Sequence, residues 1–106
     1  MLACLLMPSV VFALSNEAKE FMQISAQLEP VQCEKRKLRR QIALAQVEKR
    51  EAKEQRQRFA ALNRDPQTAR LEKRLAQLEP RLEKSADPED LPAVSRQRVE
   101  AFYRCD

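Results

Sequence analysis

Three cysteines, Cys4, Cys33 and Cys105, and one basic run, Lys35-Arg36-Lys37-Leu38-Arg39-Arg40, are the residues here best suited to chemistry by type and spacing. The chain has no histidine and no glycine. The first absence removes the commonest general base. The second removes glycine-built phosphate loops and nucleophile elbows. Isolated cysteines without histidine make poor zinc ligands, and a cysteine nucleophile would lack its imidazole partner. Carboxylates are plentiful, but lysines and arginines lie close to them in sequence. The expectation is therefore no catalytic residue, no metal site and no cofactor.

The basic run is the one concentrated feature. Lys35, Arg36, Lys37, Arg39 and Arg40 form a candidate basic binding face for an anionic partner: nucleic acid, anionic lipid headgroups or an acidic protein surface. No aromatic side chain interleaves with them to stack on bases, which argues against nucleic acid. A solvated helix face is the plainer reading. From residue 34 to residue 58 there are ten Lys/Arg against four Glu, while the whole chain carries a formal charge of only +4.

Compartment bears on both features. Residues 1–15 carry no charged side chain, and the charged chain starts abruptly after them. That apolar run is too short to span a bilayer. It reads as the hydrophobic region of a secretory signal peptide, cut after Ala13 or after Ser15, although no basic residue precedes it. Removing it removes Cys4 and leaves Cys33 and Cys105, an even pair that reads as one disulfide in an exported protein. Localisation is expected to be the periplasm of a Gram-negative bacterium.

The elements that must position these residues are helical. Charged residues are 34% of the chain and aromatics 5%, so burial has to come from helix seams. In 106 residues there is room for one small domain, 16–106. Phe21, Ile24, Leu28, Val31, Lys35, Leu38, Ile42, Ala45, Lys49, Ala52, Arg56 and Phe59 keep an unbroken 3-4 spacing. This is the seam of a long helix packed on a partner helix. The first helix is expected over about 16–62. Pro30 either kinks it or breaks it, and the unbroken phase of the seam favours a kinked, continuous helix.

Asn63-Arg64-Asp65-Pro66 supplies a helix stop, an N-cap and a first-turn proline, and predicts a hairpin there. A second helix over about 66–85 carries Leu71, Leu75, Leu78 and Leu82. A third, over about 91–104, carries Leu91, Val94, Val99 and Phe102. At about 1.5 Å per residue the two shorter helices return far enough to bring Cys105 opposite Cys33. The fold class is therefore all-α: a long kinked helix paired antiparallel with two shorter ones, coiled-coil-like, with one disulfide. Phe21, Ile24 and Leu28 lie beyond the stapled hairpin and form a candidate exposed seam, which a homodimer would close. If instead the chain folds back at Pro30, that segment becomes a further helix of the monomer. The pentapeptide Ala26-Gln27-Leu28-Glu29-Pro30 recurs as Ala76-Gln77-Leu78-Glu79-Pro80, with unlike flanks.

In architecture and charge, such a basic helical hairpin resembles the arms of periplasmic holdase chaperones and the Spy-type envelope-stress proteins. The Leu-Thr-x-x-Gln motif of the Spy-type group is absent, and no site carries over residue by residue. Two functions are expected to compete. One is a non-catalytic interaction protein, chaperone-like or docking on an anionic envelope partner. The other is a structural or inhibitory accessory dedicated to one envelope partner. Neither expects a nucleic acid or a small-molecule substrate.

Overall fold

The computed structural model describes residues 14–105. Of the expected leader, 1–15, only Leu14 and Ser15 fall within that range, and Cys4 lies outside it. Among the described residues there are four helices and no strand: α1 (Asn16–Val47), α2 (Lys53–Arg64), α3 (Pro66–Glu83) and α4 (Asp90–Arg104).

Helix α1 starts because Ser15 caps it. The Ser15 hydroxyl oxygen accepts the Ala18 N–H at 3.1 Å, and Glu17 places a negative charge in the positive first turn. The helix passes through Pro30 without interruption for 32 residues. Its buried positions are Ala18, Phe21, Ile24, Leu28, Lys35, Leu38 and Ala45, which follow the 3-4 seam.

The seam stops where its apolar residues run out. Lys49 turns left-handed at φ 56°, its N–H bonding the Gln46 carbonyl and the Arg50 N–H the Ala45 carbonyl. This paired C-cap normally uses glycine. The chain reverses over residues 48–52, so the first helix ends fifteen residues short of the expected Leu62. A straight rod would have carried Lys49 and Arg56 along a seam with only Ala52 to bury. Reversal instead buries Ala52 and brings Phe59 beneath Arg39.

Asp65-Pro66 is not the hairpin. The Asp65 carboxylate accepts the Thr68 N–H at 2.9 Å and starts α3 one residue after α2 ends. Both helices run antiparallel along α1: Phe59 meets Arg39, Glu72 meets Lys35, and Arg74 meets Glu20. The return leg is thus one path with a break at Asp65.

Helix α4 runs the other way. Asp90 bonds Ser15, Gln97 bonds Met22 and Arg104 bonds Glu29, so α4 is parallel to α1 rather than antiparallel as expected. The Cys33–Cys105 disulfide closes this pair, with Cα atoms 5.5 Å apart.

The core follows from this arrangement. Phe21, Ile24 and Leu28 are 6%, 7% and 1% exposed, packed with Ala18, Leu78, Leu82 and Val94. The expected exposed seam is therefore the centre of a three-helix body, because α3 and α4 both reach it. No apolar stripe remains there for a second copy to cover. Burying side chains of this size contributes about 1.5–3 kcal/mol each. The repeated pentapeptides each place their leucine, Leu28 and Leu78, in this core. Beyond the disulfide, α1 and α2 continue as a two-helix arm, and α2 has no buried residue.

Candidate docking face

The five cations of the basic run lie on one helix and point in different directions, since each residue turns about 100° from the last. Lys35 is on the seam. It is 7% exposed, and its ammonium donates to Glu72 Oε2 at 2.9 Å. It belongs to the α1–α3 contact, not to a binding face. Removing one partner of such a pair leaves the other charge poorly solvated.

Arg36 and Arg39 turn sideways onto aromatic rings. The Arg36 guanidinium carbon sits 4.9 Å from the centre of the Phe102 ring, and that of Arg39 5.6 Å from Phe59. Both keep their charge while covering apolar surface. Glu34 pairs with Arg58 across the arm. Lys37, Arg39 and Arg40 are all exposed, but Arg39 lies over Phe59, which leaves Lys37 and Arg40 to stand outward.

Two residues continue their line. Leu44 and Val47 follow Lys37 and Arg40 at helical spacing, on the side of α1 away from Leu38 and Ala45, and are 53% and 78% exposed. Exposed Lys49, Arg50, Lys53 and Arg56 surround the turn just beyond. Among the described residues, the only ion pairs within the arm are Arg58 with Glu34 and Arg50 with Glu48. The result is a thin cationic arm with Leu44 and Val47 exposed just before a charged turn, Glu48 to Glu51. Sequence reasoning found its charge but not Leu44 and Val47, whose outward direction depends on where the seam faces.

At the far end of the body, Asp90 is fully buried. Its carboxylate accepts the Ser15 N–H at 3.0 Å, the Ser15 hydroxyl at 2.6 Å and the Ser85 hydroxyl at 2.6 Å. Burial pushes this carboxyl up, but the hydrogen bonds from Ser15 and Ser85 outweigh it and hold it below the usual aspartate range. The cap of α1, the loop after α3 and the start of α4 meet at this one group. Along the body, Arg74 holds the Glu20 carboxyl low and Arg104 does the same for Glu29, each chiefly through hydrogen bonds.

A cavity of about 130 Å³ lies beside the disulfide, lined in part by Phe21, Leu75, Val94 and Ala101. Its one carboxylate, Glu29, is tied to Arg104 by two bonds of 2.9 Å. Among the described residues, no group of three or more His, Cys, Asp or Glu is placed to hold a metal ion. No helix among them is long and apolar enough to cross a membrane. Comparison with models of known protein families, with curated proteins and with solved structures returns no match.

Proposed function

We propose that this chain is a non-catalytic interaction protein, exported to an oxidising compartment, that docks on an anionic partner through its two-helix arm. The observation that carries the reading is the outward set Lys37, Arg40, Lys53 and Arg56, exposed and outside the ion pairs that lock the rest of the structure. Cations held in this way cost folding nothing to engage a partner, and they steer its approach. The disulfide supports the compartment, since such bonds persist outside the reducing cytosol. It also separates the two tasks: the body is stapled and the arm is left free.

The test is a cross-linking pull-down from the native compartment with the parent and a Lys37→Gln, Arg40→Gln, Lys53→Gln, Arg56→Gln variant at matched salt. Glutamine keeps helix propensity close to that of lysine and arginine. The parent should recover partners that the variant loses. Equal recovery would reduce the arm to a solvated face.

A dedicated accessory role draws support from one patch on α4, where Val99, Phe102 and Tyr103 are 54%, 55% and 77% exposed. Recovery of a single protein in fixed stoichiometry, abolished by Phe102→Ser and Tyr103→Ser but not by the arm variant, would select that reading.

A further inference from the structure

Resting on the docking role of the arm, we infer that its partner is an anionic phospholipid surface, met tip-first with Leu44 and Val47 entering the headgroup layer. A soluble acidic partner needs only the cations. It gives no reason for two large aliphatic side chains to stand exposed beside them, Val47 at 78%. A membrane surface uses both, because basic residues engage the headgroups while aliphatic ones sit at the acyl boundary.

Placement on the helix supports this occupant. Lys37, Arg40, Leu44 and Val47 form one stripe on the outer side of α1, with the aliphatic pair at the end nearest the turn. Lys49 follows that pair in the turn, and Lys53 opens α2 beyond it. Along the stripe the cations come first and the aliphatic pair last before the charged turn, so an end-on approach sets the pair at headgroup depth with cations behind it. The break at residues 48–52 sets the depth. The turn itself is charged, with Glu48, Lys49, Arg50 and Glu51 all exposed, so it stays among the headgroups while the two aliphatic side chains reach past them and the stapled body stays in water. Peripheral contact of this kind is compatible with the absence, among the described residues, of any helix able to span a bilayer.

The experiment is flotation of the oxidised full-length protein with vesicles, in two lipid compositions. Vesicles of phosphatidylglycerol and phosphatidylethanolamine should carry the protein upward, and pure phosphatidylcholine vesicles should not. Replacing Lys37 and Arg40 by Gln should lower partitioning about 30-fold at low salt. Replacing Leu44 and Val47 by Gln should lower it about tenfold, and this loss should persist at about 0.5 M salt, where charge attraction is screened within about 4 Å. In parallel, fluorescent poly-glutamate is titrated into the same protein. Binding to poly-glutamate without binding to either vesicle overturns the lipid inference and leaves the docking role of the arm standing. Binding to neither overturns both. Vesicle binding that the Leu44 and Val47 variant retains at parent strength overturns tip entry.

Discussion

The side-chain amide of Gln97 donates to the main-chain carbonyl of Met22 at 2.8 Å, across 75 residues of sequence. The same separation recurs at Ser15–Asp90 and at Glu29–Arg104. The three contacts are therefore seven residues apart on both helices. Seven residues are close to two helical turns, so parallel helices can repeat one contact at that interval without losing register. This ladder, with the disulfide at its end, fixes α4 on α1 and closes the body over Phe21, Ile24 and Leu28. Everything beyond the disulfide is released from that duty.

Acid should loosen the ladder at its first rung. The folded-state pKa of Asp90 is depressed, so its contribution is present above the ordinary aspartate value of about 3.9 and is lost as pH falls through the lower folded value. Replacing Asp90 by Ala leaves the Ser15 and Ser85 hydroxyls without their acceptor and should cost about 1–3 kcal/mol near neutral pH. Denaturant melts at a series of pH values check both. The variant should be less stable at pH 7, and its acid limb should be flatter than that of the parent.

Export predicts a specific first residue. Ser15 caps α1 and supplies two of the three donors to Asp90, while Leu14 packs against the core. Cutting after Ser15 would discard both. Under the proposed export, a cut after Ala13 keeps them, so the intact mass of the exported protein should correspond to a chain starting at Leu14. A chain starting at Asn16 or at Met1 would contradict this.

Lys49 should accept glycine with a gain. A lysine held at φ 56° carries the left-handed penalty that glycine avoids. Lys49→Gly is expected to stabilise the arm by about 0.5–1 kcal/mol, read as a higher melting temperature with the disulfide intact. No gain would mean that the turn is held by contacts other than its backbone bonds.

Reduction should act on α4 first. Closing a loop of 72 residues is worth roughly 4 kcal/mol in the chain-entropy account. The Cys33→Ser, Cys105→Ser variant should melt well below the parent, with amide exchange rising first over residues 99–105. Equal melting with and without reductant would show that the ladder alone holds α4.

These outcomes also show how far the chain could be read before folding. The α1 seam was legible because its 3-4 spacing needs no tertiary information, and it marked Lys35 as a seam position even while the basic run claimed it for a surface. The disulfide was legible from parity; the reach that also pointed to it assumed a turn at residues 63–66 and an antiparallel last helix, neither of which the chain adopts. The reversal at residues 48–52 was not, because its left-handed residue is a lysine in a chain without glycine, and Asp65-Pro66 displayed the stronger stop signal. The core role of Phe21, Ile24 and Leu28 depended on α4 running parallel to α1. That direction is written in side chains 75 residues apart, and no local pattern announces it.

The central claim is that the arm, and not the body, meets the partner. Hydrogen–deuterium exchange of the oxidised protein, with and without phosphatidylglycerol vesicles, tests it most directly. Helix α2 has no buried residue, so its amides should exchange readily when free. Protection on binding should appear over residues 37–56 and leave 15–33 and 66–105 unchanged. Protection over residues 99–103 would contradict it, and unchanged exchange throughout would overturn the lipid surface as the arm's partner.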